Sequence, residues 1–407
     1  QQWLKVQWWI SLGLLPLLLL FFQQSSLLAP LANLFAIPLV SLMVVPLIML
    51  AILFLAFSTF VSGKLLLVAA WLLEGMAQLL ASLSDWPVAV WQTSVPNSWT
   101  GGLLVLGIML LLAPAGMPAR WLGALLCLPM VLHSPVRPAH GEVWFTLLDV
   151  GQGLAAVVQT REHALVFDTG PRFSDRFDTG KAVLLPFLRE AHVNKLDILM
   201  VSHGDNDHIG GAASLMQHMP VGKVLSSVPH KLPTHNLREH CLRGQHWHWD
   251  GVEFEILNPL PGNLQQRNNA SCVLRVSSGE QAVLFTGDIE HQAEQSLIAH
   301  SAAQLRSTLL VVPHHGSKTS STRAFIEAVS PRYVLYPVGY RNRYRFPHKG
   351  VIGRYQAIEA IQLSTASSGA IHFRFGARTG VSKPELYRQQ AQRYWHVKPL
   401  ASSQTGL

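Results

Sequence analysis

The chain has 407 residues, of which 49% are hydrophobic and only 13% charged. That is about half the charge density of an average soluble domain, so a single body solvated by water along its whole length is excluded. The formal net charge of +8 is unevenly placed: residues 1–140 hold only Lys5, Lys64, Arg120 and Arg137 against Glu74 and Asp85, and all other acidic and basic side chains follow. The two parts are written for two solvents. The apolar stretch begins almost at Gln1, so the sequence reads as a piece of a longer protein, with no signal peptide to be argued from it.

Trp8 to Phe22 is nearly unbroken Leu, Ile, Trp and Phe, and Leu27 to Val61 is apolar enough for one tilted membrane span or two shorter ones. Pro30, Pro38 and Pro46 punctuate the second run. Their spacing suggests kinked helices lining a path, with an anchor bundle carrying routine proline kinks as the alternative. Leu65 to Leu83 carries Glu74, Gln78 and several small residues, and fits an amphipathic helix at an interface or facing a pore better than a lipid-exposed span. Gly101 to Leu112 and Trp121 to Leu132 are short apolar segments joined by "APAGMPAR". Arg120, the one charge in that joint, places it in the cytoplasm by the positive-inside rule, which puts everything after Leu132 outside.

The proline-bearing stretch "HSPVRPAH" marks the boundary, and the division expected is 1–135 transmembrane helices, 136–141 linker, 142–380 a folded domain and 381–407 a tail. Beyond the linker, short β runs alternate with turns and helices. Strands are expected at "EVWFTLLDV", "LAAVVQT", "HALVFDTG", "LDILMV", "GKVLSSV", "VEFEILN", "CVLRVSS", "QAVLFTG", "TLLVVP", "PRYVLYPV" and "AIHFRF". Helices are expected at Ile209 to Met219 and near 290–300, 321–329 and 350–361. Together they imply an α/β fold of two sheets covered by helices.

"VSHGDNDHIGG", residues 201–211, puts His203, Asp205, Asp207 and His208 at the point where a buried strand passes into a helix. Imidazole and carboxylate are ligand types for Zn, Mn or Fe. Helix-capping aspartates in a solvated loop would explain any one of these residues, but not four in six positions followed by two glycines.

The stretch resembles the H-x-H-x-D-H signature of the metallo-β-lactamase superfamily, with Asp205 in the place of the second histidine. Three further stretches follow in the superfamily's order: "VFDTG" with Asp168, "LFTGDIE" with Asp288, and "VVPHHGSKTS" with His314, His315 and Lys318. "DVGQG" and the paired "HHGS" resemble the ComEC family of DNA-internalisation channels, in which a multi-span competence domain precedes such a hydrolase domain. The resemblance implies a metallo-β-lactamase-like αββα sandwich preceded by α-helical transmembrane segments. Leu154 departs from the pattern, standing where related sequences often carry Asp. The superfamily's third metal-site histidine has no counterpart; Asn269, in "NNASCVL", is its expected substitute, which makes the first site oxygen-rich.

By that resemblance two divalent ions, Mn or Zn, are held by His203, Asp205 and Asp288 and by Asp207, His208, Asp288 and one histidine of the pair. His315 is favoured, leaving His314 to contact substrate or donate a proton, with the reverse order open. Asp207, His314 and His348 are the candidate catalytic residues, His348 resembling the family's last histidine. Asp168, Asn269 and Lys318 support the site. In "GYRNRYRFPH", Arg341, Arg343 and Arg345 share one face if the segment is extended, and with Tyr344 they form a candidate DNA-binding strip. A polybasic solvated loop is the plainer reading. The histidine-rich segment 230–248 matches no metal spacing and reads as loop and core packing. Cys241 and Cys272 allow one disulfide, although Cys272, inside an apolar strand, is expected to pack as a small hydrophobe.

The function expected is a cytoplasmic (inner) membrane, multi-pass DNA-uptake component. Its extracytoplasmic hydrolase domain would degrade the non-transported strand, with single- and double-stranded DNA, the lipid membrane, the rest of the channel protein and other competence proteins as partners. The alternative is a membrane-anchored small-molecule hydrolase or a weakly catalytic scaffold.

Overall fold

The computed structural model describes residues 2–86, 88–93, 98–114, 116–132 and 136–391. It divides into two compact units, one formed by residues 1–135 and the other by nearly all that follows, Arg189–His192 excepted. Most of the expected 381–407 tail lies outside the described residues.

In the first unit, helices run Gln2–Phe22, Ala29–Leu39, Val45–Leu55, Thr59–Ser84, Ser98–Leu112 and Leu122–Leu132. Pro30 sits in the first turn of its helix, where no backbone N–H is required of it, and Pro46 comes two residues after a widened π-turn in continuous helix. Pro38 is followed by a widened π-turn at Val40–Val44, so Ala29–Leu55 continues as one long helical segment. Three segments are long and apolar enough to cross a membrane: Lys5–Phe22, Ala29–Leu55 and Thr59–Ser84. The last contains the stretch Leu65 to Leu83, expected as an amphipathic helix at an interface or facing a pore; it is longer than expected and apolar enough to span. The Ser58 hydroxyl caps a 26-residue helix, and Leu67 and Trp71 stand outward on it, so Glu74 and Gln78 are isolated polar points on a lipophilic rod. Helices Ser98–Leu112 and Leu122–Leu132 pack through Gly107 and Gly123. A Cβ at Gly107 would stand 2.7 Å from the carbonyl of Gly123, so only glycine permits this approach.

The second unit stacks two sheets. In the nine-stranded sheet the order is Arg238–His240, Val221–Ser226, Leu196–Val201, Ala164–Thr169, Ala155–Gln159, Glu142–Leu147, Ile371–Gly376 and Gly380–Val381, with Glu385–Leu386 also on Ile371–Gly376. The seven-stranded sheet runs His246–Trp249, Val252–Asn258, Val273–Ser278, Gln281–Phe285, Leu309–Val311, Tyr333–Tyr336 and Ile361–Ser364. Each sheet is antiparallel at one side and parallel at the other. Strands of alternating or continuous Val, Leu and Phe supply the layer between them. Phe145, Phe167 and Phe285 interlock there, with ring centroids 5.4 Å apart for Phe145–Phe285 and 4.8 Å for Phe167–Phe285. Each ring buried in this way contributes about 1.5–3 kcal/mol. Helices His291–Leu305, Arg323–Val329 and Lys349–Gln356 give Leu297, Phe325 and Tyr355 to a second apolar layer.

Cys241 and Cys272 form a disulfide, with Cα atoms 6.0 Å apart, which corrects the expectation that Cys272 packs as a free thiol. Both are fully buried in the core layer, and the apolar run around Cys272 hid a partner 31 residues away. Leu154 is also core: its side chain is buried and its N–H donates to the carbonyl of Asp207.

Candidate metal centre

The parallel strands decide where the site forms. Ala164–Thr169, Leu196–Val201, Gln281–Phe285 and Leu309–Val311 all release their chains at carboxyl ends, where backbone no longer needs ladder partners and side chains from several loops converge. Asp168 comes from the first, His203 to His208 from the second, Asp288 from the third, and His314 and His315 from the fourth.

Asp288 is buried, and its two carboxylate oxygens face two different groups. Oδ1 lies 3.1 Å from His208 Nε2 and 3.5 Å from His315 Nε2. Oδ2 lies 3.9 Å from His203 Nε2 and 3.8 Å from His314 Nε2. Asp207 Oδ2 joins the first group, 3.3 Å from His315 Nε2, and Asp205 Oδ2 joins the second, 3.6 Å from His203 Nε2. Ligand atoms of Asp207, His208, Asp288 and His315 all lie within 4.8 Å of one another.

Each histidine is oriented through its other nitrogen. His208 Nδ1 lies 2.7 Å from Asp168 Oδ2, His315 Nδ1 2.8 Å from the carbonyl of Pro337, His203 Nδ1 3.1 Å from Ser202 Oγ and His314 Nδ1 3.3 Å from Glu290 Oε1. Holding Nδ1 in this way aims Nε2 at a shared point, as outer partners of metal-ligating histidines do. Asp168 is itself locked by the N–H and hydroxyl of Ser202, at 2.6 and 2.7 Å.

The electrostatics are those of a site built around positive charge. Burial opposes ionisation of Asp288, yet His208 and His315 hold its carboxyl well below the usual range. Burial likewise works against Asp207, but the hydrogen bond to His315 and the charge of His208 bring it down to about 2. The imidazole of His203, 3.6 Å away, lowers Asp205. Against its burial, the charges of Asp288 and Asp168 raise His208 well above the ordinary imidazole value, and Asp288 and Asp207 raise His315. Buried His203 Nε2 and Asp288 Oδ1 have charged neighbours but no hydrogen bond of good geometry, and His208 and His315 meet nitrogen to nitrogen at 3.2 Å. Unpartnered buried donors and acceptors of this kind fit divalent ions, so the residues present suit the group that the fold implies.

The remaining candidates lie differently. Asn269 is corrected: its Oδ1 accepts from the N–H groups of Glu290 and Ala293 and its amide donates to Gln292, so it caps helix His291–Leu305 and its oxygen is already used. His314 stands on the oxygen-rich side instead. Lys318 is exposed on the loop that follows. His348 caps helix Lys349–Gln356, its Nδ1 accepting from the N–H of Gly350 at 3.2 Å, while its own N–H donates to the carbonyl of Gly316. The arginine strip is corrected too. Residues 339–346 form a turn closed by Asn342, whose side chain bonds Phe346 at both backbone groups, and Arg341 and Arg345 take positive φ, so no extended face exists. Arg343 lies over Tyr344, whose ring stacks on Phe346, which in turn stacks on His315. Sequence reading missed Ser202, Glu290 and Thr319, whose hydroxyl donates to Glu290 Oε1 at 2.9 Å. Glu290 stood two residues after Asp288 and was the one with a visible signal.

The sequence model of the metallo-beta-lactamase superfamily matches residues 148–339, and that of the competence protein family matches residues 1–118. The chain joins a competence-protein domain to a metallo-beta-lactamase domain. It is 38% identical over 300 residues to Competence protein ComA of Neisseria gonorrhoeae, covering 73% of this chain and 42% of that one. Over 406 residues it is 32% identical to Uncharacterized protein YcaI of Escherichia coli, covering 97% and 51%. ComE operon protein 3 of Bacillus subtilis is 28% identical over 407 residues, covering 91% and 51%. The chain spans about half the length of the curated relatives it matches. Its metallo-beta-lactamase domain carries the layered sheets described above, and the competence-protein domain carries the three long apolar helices.

Proposed function

We propose that the chain is part of a multi-pass inner-membrane DNA-uptake component whose metallo-beta-lactamase domain is an extracytoplasmic, metal-dependent nuclease acting on the non-transported strand. The observation that carries this reading is the division of Asp288, one oxygen toward each histidine–carboxylate group. His203, Asp205, His314 and Asp288 would hold one divalent ion, and Asp207, His208, His315 and Asp288 the other, Mn or Zn. When bound, a pair of ions supplies water acidified toward neutral pH and charge to balance a phosphoryl group in in-line displacement. The protein's share is to fix ligand direction through Asp168, Ser202, Glu290 and Pro337, and to keep Asp207 and Asp288 ionised.

His314 is better used as a ligand than as an acid, because both of its ring nitrogens face carboxylates. His348 keeps Nε2 for a substrate oxygen while Nδ1 caps its helix. Arg341, Arg343, Arg345 and Tyr344, gathered on a turn stacked against His315, would receive phosphates and bases of a DNA strand. The buried disulfide supports the extracytoplasmic orientation, since disulfides persist in oxidising compartments.

The test is metal content and DNA cleavage by the full chain in detergent. Two ions per chain are expected, falling to none in Asp288→Ala and to one in either His314→Ala or His315→Ala, with cleavage lost in all three. Undiminished cleavage in excess chelator would sink the reading; cleavage of small esters without DNA would turn it toward a small-molecule hydrolase.

A further inference from the structure

A second polar feature adjoins the centre at His203 and Asp205, whereas the arginine turn stacks on His315 through Phe346. A cavity of about 1100 Å³ opens beside His203 and Asp205, between the turn Pro229–Lys231 and the segment 264–269. This exceeds the roughly 300–1,000 Å³ of small-molecule pockets, and its lining contains no aromatic ring apart from the imidazoles of His203 and His230. Its two acidic residues, Asp205 and Glu290, are both already turned to histidines of the centre. What remains is neutral or cationic: glutamines and asparagines, His230, Lys231 and Arg267.

Lys231 and Arg267 are exposed, and neither side chain has a salt bridge or hydrogen bond among the described residues. Lys231 reaches directly over the metal loop. A Cβ at Gly204 would stand 2.6 Å from its Nζ, so the end of the lysine lies against the backbone between His203 and Asp205. Two uncommitted cations along a wide trough that leads to a metal centre fit a chain of phosphates better than a compact ligand. The absence of large aromatic rings means that bases are not gripped there.

We propose that this trough is a backbone-binding track for a single-stranded polynucleotide, with Lys231 and Arg267 contacting phosphates that flank the reacting one on the His203 side. The inference rests on the nuclease reading. Bases would stack at Tyr344 on the other side, so the strand crosses the centre, held by phosphates at one end and by rings and guanidinium groups at the other. Binding in the trough is therefore independent of base identity.

The experiment uses the full chain in detergent with Mn, measuring binding of a fluorescent single-stranded oligonucleotide against KCl concentration and hydrolysis of bis(p-nitrophenyl) phosphate. Replacing Lys231 and Arg267 together by Ala should weaken oligonucleotide binding about tenfold and reduce the salt slope by about 1.4, from about 0.7 per phosphate contact. Ester hydrolysis should stay at the parent rate, and oligonucleotides of different base composition should lose affinity equally. Unchanged affinity and slope would overturn the track. If the double variant loses both readouts, the pair Lys231→Arg with Arg267→Lys decides: recovered binding supports the track, and failure to recover overturns it. A parent that binds the oligonucleotide but hydrolyses neither DNA nor ester would instead defeat the nuclease reading, leaving the binding result to stand separately.

Discussion

The two units put the same side chains to opposite use. In the first, Phe57, Phe60, Trp71 and Trp99 are 72–84% exposed, whereas in the second Phe145, Phe167, Phe254 and Phe285 are fully buried. A helix in hydrocarbon satisfies its own backbone and can present an apolar surface all round. A sheet in water must bury one face and release its chain at strand ends, and those ends are where polar side chains can be massed. Convergent carboxylates and imidazoles are accordingly confined, among the described residues, to the unit that hides its aromatic rings.

Substitutions that act on one unit alone break or sharpen this contrast. The largest effect is expected from Asp168→Ala, which strips the buried His208 and both donors of Ser202 of their partner. Removing one member of a buried ion pair costs about 3–5 kcal/mol. Calorimetry of the full chain in detergent should show the sheet unit melting earlier while helical dichroism from the membrane helices persists. Simultaneous loss of both would mean that the units do not fold independently.

Cys272→Ala should cost about 2–4 kcal/mol in the same transition, by freeing the unfolded chain. In the other direction, Gly107→Leu should cost about 1–3 kcal/mol by overpacking against Gly123 and Leu126. Limited proteolysis between 112 and 122 should then accelerate while the sheet transition stays in place.

The smallest effect concerns pH. Burial holds His372, whose Nδ1 lies 2.8 Å from Thr146 Oγ1, below the ordinary imidazole value. The unfolded chain then binds the extra proton first, so this contribution is present above the ordinary value and is lost as pH falls through the folded one. His372→Gln should flatten that part of the curve of sheet-unit stability against pH. An unchanged curve would assign the acid sensitivity to other groups.

Where chemistry is packed into neighbouring positions, the sequence was legible. His203, Asp207 and His208 lie within six residues, and Asp288 and His315 sit in short marked stretches, so the structure needed only to gather strand ends. The two-sheet architecture was readable from runs of Val, Leu and Phe between turns. Asn269 misled because an amide serves a helix cap as readily as a metal, and the nearby N–H groups of Glu290 and Ala293 claimed it. The arginine turn misled because alternation suggests a strand, while Asn342 supplies side-chain bonds that close a loop. The disulfide was obscured by distance along the chain, and Lys231 by a histidine-rich segment that invited, and failed, a metal reading.

His314 and His315 have φ of 49° and 53°, two consecutive left-handed residues without glycine. Neighbours on an extended strand diverge to opposite faces; here the backward twist lets two adjacent imidazoles reach the two oxygens of a single carboxylate. That economy narrows what can replace them. Asn, Asp and His tolerate this backbone, whereas β-branched residues do not, and Cys and Glu, the other common ligands, lack the former group's enrichment there. A change of metal preference by exchange at this pair is thus easiest with Asn or Asp, oxygen donors on short side chains. Sulfur would enter more readily from another loop.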